Sequence, residues 1–355
     1  MYEAVANLHT HTVYSDGEAT HDEVAAAAIR AGLDAVWITD HNVYAQGLDG
    51  YRYLEGRRVL MLVGEEIHDQ IRVPQKNHML VLEARRELAT LASHPQRLLD
   101  AVRQAGGLAF LAHIVDPDAP LFREADLSWV DRDLKGPYGI EIWNTMSEFK
   151  GHLTSIPSAL WHAYLPDFSP VGPYPEALVR WDALLEAGNQ VPAIGGADAH
   201  GLDIRLGPLR LIIFPYEFLF RAVNTHILME EPLSGDAEVD RGRLSDALRR
   251  GRSFVGYSRP ASPRGFQFTA NSDRGEATLG DTLACRIGAT LQIHLPRPAE
   301  IRLIRHGSVI HRWPAAENAV HMVTEPGAYR VEALLPFRGR LRHWILSSPI
   351  YLVAD

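Results

Sequence analysis

The 355-residue chain holds one cysteine, Cys285, and three lysines, Lys76, Lys135 and Lys150, among 35 basic residues. A lone thiol closes no intramolecular disulfide and builds neither a thiolate metal site nor a redox pair by itself, so any metal must be held by nitrogen and oxygen. No apolar run reaches the ~18 residues of a membrane-spanning helix, which excludes a membrane protein of that kind. The first residues, MYEAVANLHTHT, lack the basic-then-apolar order of a secretory signal, and the expected location is the cytoplasm. Basic excess is absent too. The net charge is −9, divided into −13 over residues 1–256 and +4 over 257–355. An acidic surface repels a phosphate backbone over a Debye length, which argues against a nucleic-acid-coating role and leaves room only for a nucleotide or short oligonucleotide as substrate.

What remains is ordinary for a globular protein, 46% hydrophobic and 22% charged residues, and the length suits about two domains. The first part alternates short apolar runs with helical patterns, as βα units around a parallel sheet do. Strands are expected at Val5–His9, Ala35–Thr39, Leu60–Ile67, His78–Leu82, Leu108–Ala112, Gly139–Trp143 and Pro192–Ala197. Thr20 and Glu23 make a capping box before a helix that Gly32 stops; a second helix runs from Pro95 to Gly106, and others cover Pro175–Ala187 and Arg243–Arg250, with a strand at Leu209–Phe214. The stretch Asn144–Tyr174 breaks the rhythm with its prolines and with Phe149, Trp161 and Phe168, and reads as an irregular lid or binding loop. After Gly256, short runs separated by Gly, Pro and Asn predict an antiparallel all-β module over 257–355. In it, His306 and His311 mark a hairpin rather than a metal site.

Seventeen histidines are the unusual feature, eleven of them in the first 200 residues. The strings NLHTHTVYSDG (7–17), AVWITDHN (35–42), GLAFLAH (107–113) and AIGGADAHG (193–201) each place His or Asp where an apolar strand run stops. In a barrel of parallel strands those ends open on one face. His9 and His11, like Asp198 and His200, are two residues apart, so on a strand they project to one side and can grip one cation. LVGEEIH (62–68) and NHMLVLE (77–83) add carboxylates and a further histidine. Asp40 reads as an acceptor that fixes a histidine tautomer, Trp37 and Trp143 as core or pocket wall, and His21, His68 and His94 as structural or exposed.

The ordered strings H-x-H-x4-D-G, T-D-H, G-x-E, A-H and D-A-H resemble the PHP (polymerase and histidinol phosphatase) family of metal-dependent phosphoesterases over about 1–256. LSDALRRGRSFVG followed by a β module with GDTL is similar, more narrowly, to the carbaryl-hydrolase-like branch. The resemblance implies an α/β fold, a distorted (β/α)7 barrel followed by a small β-sandwich-like domain, and two to three divalent ions of Zn, Mn or Fe. It implies one ion at His9, His11, Glu66 and Asp198, a second at Glu66, His78 and His113, and a third at Asp16, His41 and His200. The bridging carboxylate stands two after Gly64, which selects Glu66 over Glu65; Ile114 departs from the family's proline after the strand-end histidine.

Three dications against three carboxylates and one hydroxide leave a cationic pocket, suited to a small anionic substrate. The leading expectation is hydrolysis of a small phosphomonoester or phosphodiester by a metal-bridged hydroxide. The alternatives are a carboxylic ester, amide or carbamate hydrolase with the same centre, and a binding protein without turnover. His152 and His162 are candidate acids for the leaving group, and Arg205 a candidate for binding a phosphate oxygen. The sequence does not specify an oligomeric state.

Overall fold

The computed structural model describes residues 1–206 and 209–354, and within 203–212 the backbone alone. The capping box forms as expected: Thr20 Oγ1 accepts from Glu23 N, the Glu23 carboxylate accepts from Thr20 N at 2.8 Å, and the helix His21–Ala31 ends on Gly32 at φ 84°. Helices Pro95–Gln104 and Pro175–Glu186 also follow their signals. Ala237–Arg249 starts earlier than expected because Asp236 caps it, accepting from Glu238 N and Val239 N. No helix among the described residues is long and apolar enough to cross a membrane.

Two sheets carry the N-terminal region. In one, Tyr2–Asn7, Ala35–Ile38 and Arg57–Val63 lie parallel, edged by Gly50–Leu54. In the other, Glu65–Ile67, Met79–Leu82, Leu108–Leu111, Gly139–Asn144 and Ala193–Gly196 follow in sequence order. Met79–Leu82 is antiparallel to both its neighbours, a departure from the expected all-parallel set. The strand expected at Leu60–Ile67 is therefore two strands, parted at Gly64. A Cβ there would stand 2.7 Å from Val81 O and 2.9 Å from Leu82 Cδ2, so only glycine lets the chain leave one sheet and enter the next.

Among the described residues no continuous strand ladder closes the expected barrel. Tyr2–Asn7 gives its second edge to Val223–Met229, a fully buried antiparallel strand the sequence pattern did not reveal, and so has none left for Ala193–Gly196. The sheets meet instead at the isolated bridges Thr10–Ala199 and His41–Glu66.

The remainder of the chain is mainly β. Ser253–Tyr257 lies across the expected boundary at 256/257 and pairs both with Val223–Met229 and with Arg340–Ser347, so one sheet continues through it. Two expected runs, Thr290–Leu295 and Glu300–Arg305, are one bulged strand, Ala289–Arg305, which pairs with Gln267–Ser272, Ser308–Val323 and Gly327–Phe337. His306 and Gly307, at φ 51° and 70°, make the two-residue turn of a hairpin. This region has its own apolar core, including Phe266, Phe268, Leu291, Leu303 and Trp344.

The stretch expected to be irregular contains two helices, Thr145–Gly151 and Ile156–Tyr164, capped by Asn144 and Ser155. Its prolines do not break them: Pro157 sits in the first turn of the second helix and Pro166 opens a 3-10 turn. The β region grips this stretch. Arg342, almost fully buried, donates from Nη1 to Asp167 O at 2.7 Å and Pro170 O at 2.5 Å; His343 N donates to Val171 O at 2.9 Å; and Arg259 and Arg338 pair with the Asp167 carboxylate at 2.7 and 2.9 Å.

Candidate metal centre

Strand ends converge as the alternating pattern requires. His9 and His11 follow Tyr2–Asn7, His41 follows Ala35–Ile38, His113 follows Leu108–Leu111, and Asp198 and His200 follow Ala193–Gly196. His78 precedes its strand, yet because Met79–Leu82 runs antiparallel its start lies where its neighbours end. His113 and Asp198 take positive φ, 24° and 53°, a strain that non-glycine residues adopt where surrounding structure imposes it.

Four donor atoms form the innermost group. His9 Nε2 lies 3.1 Å from His11 Nε2, 3.1 Å from Glu66 Oε2 and 3.3 Å from Asp198 Oδ1, while His11 Nε2 lies 3.2 Å from Glu66 Oε2 and 3.1 Å from Asp198 Oδ1. A regular tetrahedron with edges of that length has its centre about 2 Å from each corner, the distance at which zinc holds imidazole and carboxylate, ~2.0–2.2 Å. The five separations therefore fit the spacing of donors around a tetrahedral divalent ion, with Glu66 and Asp198 supplying the oxygens.

The other Glu66 oxygen serves a second group. Oε1 lies 3.0 Å from His78 Nδ1 and 2.9 Å from His113 Nε2, so one carboxylate faces two sets of histidines. The third group is looser: Asp16 Oδ1 is 3.2 Å from His200 Nε2, and Asp16 Oδ2 is 3.6 Å from His41 Nε2, with His11 Nδ1 at 3.7 Å from Oδ1. Exposure rises across the centre. The side chains of His9, His11, Glu66, His78 and His113 are buried, whereas Asp16 is 57% exposed, His41 20% and His200 16%.

Hydrogen bonds set which nitrogen each ring offers. Glu141, buried within Gly139–Asn144, accepts from His9 Nδ1 at 3.0 Å and from His113 N at 2.9 Å. This leaves His9 Nε2 for the centre. Asn144 Nδ2 donates both to Glu141 Oε2 at 2.9 Å and to Asp198 Oδ2 at 3.2 Å. His200 Nδ1 donates to Asp198 O at 2.8 Å, leaving its Nε2 for Asp16. Asp40 does not have the expected role. It accepts from Thr12 N, Thr12 Oγ1 and Ser15 Oγ, each at 2.7 Å, and so shapes the turn between His11 and Asp16. Sequence reading does not single out Glu141 and Asn144, since Glu141 lies inside the strand expected at Gly139–Trp143 and Asn144 opens the stretch expected to be irregular; the signal is a carboxylate inside the apolar run GIEIWN.

The electrostatics match a centre built for cations. Burial disfavours a charge on His11 and His113, but contacts with Asp198 and Glu66 for the first and with Glu66 for the second outweigh it and raise both to about 9. Burial likewise opposes ionisation of Glu66 and Asp198, yet the surrounding histidines hold both carboxyls well below the usual range. His41 is instead driven to about 3, chiefly by burial, and offers a neutral ring. Several buried ring nitrogens, among them His78 Nε2 and His113 Nδ1, have no hydrogen-bond partner among the described residues.

The structure thus brings together His9, His11, Asp16, His41, Glu66, His78, His113, Asp198 and His200. It does not bring His152 and His162 into contact with them. Those two rings stack on each other at 4.1 Å, His152 Nε2 donating to Ser169 O and His162 Nδ1 meeting Ser169 Oγ. The side chain of Arg205 lies outside the described residues. His68, read as structural, packs beside His41 and His78. A cleft of about 520 Å³, lined by Phe110, Tyr138, Arg249, Asp281 and Tyr351, opens at the opposite ends of the strands, away from this centre.

Residues 7–156 match the family model of the PHP domain, and the C-terminal region that follows later in the chain is mainly β. Seven of the residues named above fall inside the match; Asp198 and His200 lie beyond it and join the cluster through the fold. Among solved structures, the chain is similar to a two-domain protein from Bacteroides vulgatus containing a predicted PHP-like metal-dependent phosphoesterase, at 15% identity, covering 98% of this chain and 95% of that one with a TM-score of 0.40. It is also similar to a protein from Bifidobacterium adolescentis provisionally assigned as a metal-dependent phosphoesterase, at 17% identity, covering 55% of this chain and 87% of that one with a TM-score of 0.32. No curated protein matches. None of these matches singles out a carbaryl-hydrolase-like branch.

Proposed function

We propose that the protein is a metal-dependent phosphoesterase that hydrolyses a small phosphomonoester or phosphodiester. The observation that carries this reading is the Glu66 carboxylate, each oxygen facing its own set of histidines, one of those sets completed by Asp198 at tetrahedral spacing. Two or three divalent ions of Zn, Mn or Fe would supply there a water whose pKa falls toward about 7 and positive charge for the phosphoryl oxygens.

The chain's own residues define the rest. Glu141 and Asn144 lock His9 and Asp198, and Glu66 ties the first two groups together. Asp16, His41 and His200, partly open to solvent, form the side from which an anionic substrate enters, since the other donors lie buried behind them. Nearby hydroxyls are already committed: Thr12 Oγ1 and Ser15 Oγ donate to Asp40, and Thr10 Oγ1 donates to Asn7 Oδ1. Water is therefore the nucleophile this site favours. The proposed setting is the cytoplasm.

The test is metal analysis of the purified chain together with turnover of nitrophenyl phosphate, bis-nitrophenyl phosphate and naphthyl carbamate. Two to three equivalents and chelator-sensitive phosphoester cleavage are expected. Less than one equivalent after reconstitution, or turnover of the carbamate alone, overturns the reading.

A further inference from the structure

We propose that His68 forms, with His41 and His78, an additional all-imidazole cation position at the edge of the centre, one that prefers zinc to manganese and competes with the neighbouring groups for His41 and His78. This rests on the reading of the centre as a metal site. The three side chains offer ring nitrogens within 4.8 Å of one another. Their ring centroids lie 4.8 Å apart for His41 and His68, 4.3 Å for His68 and His78, and 5.6 Å for His41 and His78.

Three nitrogens of this set, His41 Nδ1, His68 Nδ1 and His78 Nε2, are buried and have no hydrogen-bond partner among the described residues. His41 Nδ1 lies 3.2 Å from Glu66 Oε2 without a hydrogen bond. Buried polar atoms are rarely left in this state unless something else satisfies them. His68 is anchored only by its backbone, His68 N donating to Asn42 Oδ1 at 3.1 Å; among the described residues no hydrogen bond holds its ring. The ring stacks on His78 at an interplanar angle of 14°, so sharing an ion requires His68 to turn about its side-chain bonds, and nothing polar resists that turn.

Composition gives the preference. The other three groups each contain at least one carboxylate; this one contains none. Neutral imidazoles suit zinc, copper and nickel, whereas manganese and magnesium favour oxygen donors. Competition follows from the lone-pair count. A neutral imidazole has one free ring nitrogen, and His78 already directs Nδ1 at Glu66 Oε1. A His78 that gives Nε2 to an ion beside His68 is withdrawn from the Glu66 group unless it also loses its remaining ring proton.

The test uses the full-length protein loaded with manganese and titrated with zinc, reading released Mn(II) by its magnetic resonance signal. Wild type should release manganese at zinc concentrations about tenfold lower than His68→Gln and His68→Ala, the size of effect that a supporting ligand exerts on metal affinity. Equal zinc concentrations for wild type and variants would overturn the proposal. Loss of manganese from both variants before zinc is added would overturn it too, because His68 would then support the whole centre. A wild-type protein that binds neither ion would instead refute the metal-dependent function itself.

Discussion

Replacing Glu66 by glutamine should strip the centre of metal and activity, and the same change at Glu65 should do neither. The two residues are adjacent on one strand, so their side chains leave on opposite faces. Glu66 Oε1 faces His78 and His113, and Oε2 faces His9, His11 and His41, at 2.9 to 3.2 Å throughout. An amide in that place removes the charge and turns one oxygen into a donor aimed at ring nitrogens. Loss of a partner that merely supports a ligand costs about 10–100-fold in metal affinity, so losing a carboxylate shared by two groups should exceed about 100-fold at each. Glu65 points toward Glu87. Burial, followed by the hydrogen bond and charge of Glu87, pushes it up to about 9, so it is neutral at pH 7. The Glu65→Gln amide can still donate to Glu87, and the change should cost no more than about 1 kcal/mol, the net worth of one neutral hydrogen bond. Elemental analysis and chelator competition on both variants, with thermal melts as a control for folding, make the comparison. Equal metal loss from the two would refute the assignment of Glu66.

Two further outcomes follow from the same geometry. In the metal-free protein His11 and His113 titrate at about 9, above their unfolded value near 6.5, so their contribution to stability is complete below about pH 6.5 and fades as pH rises through 9. The metal-free melting temperature should fall between pH 7 and 9, and zinc added at pH 7.5 should release protons into a weakly buffered solution; a pH-independent melt with no proton release would contradict this. Arg342→Ala should leave the buried carbonyl of Pro170 and the half-buried carbonyl of Asp167 without their donor, at about 1–3 kcal/mol for the buried group left unpaired and less for the other. Hydrogen exchange should then speed up over 165–172 while metal content holds, since none of the donor residues lies in that stretch; unchanged exchange there would show that Arg342 does not brace it.

The donors were legible where sequence spacing and backbone period coincide. His9 with His11 and Asp198 with His200 are two apart at strand ends, so their convergence needs only the strand repeat. Partners of buried polar groups were not legible, because they are chosen by the fold. Val223–Met229 was overlooked since Asn224, Thr225 and His226 spoil its apolar run. Each is satisfied from another element: Asn7 Nδ2 donates to Asn224 Oδ1 at 2.9 Å, Thr225 Oγ1 donates to Gly195 O at 2.8 Å, and His226 Nδ1 meets Glu3 Oε1 at 2.5 Å. Glu141 is hidden in the same way, as a polar residue inside an apolar strand run.

The break between the two sheets and the position of Glu66 share one origin in Gly64. The glycine lets the chain step from the sheet ending at Val63 into the sheet that begins at Glu65, and Glu66 lies one residue past that step, bridged to His41 of the first sheet's side. From there one oxygen reaches His9 and His11, which follow a strand of the first sheet, and the other reaches His78 and His113, which flank strands of the second. Had Arg57–Val63 and Glu65–Ile67 been one straight strand, Glu66 would have stayed in a single ladder and faced one set. The antiparallel course of Met79–Leu82 completes the arrangement by bringing His78 to the end where Glu66 stands. Two departures from a regular parallel barrel thus place one carboxylate between two groups of histidines.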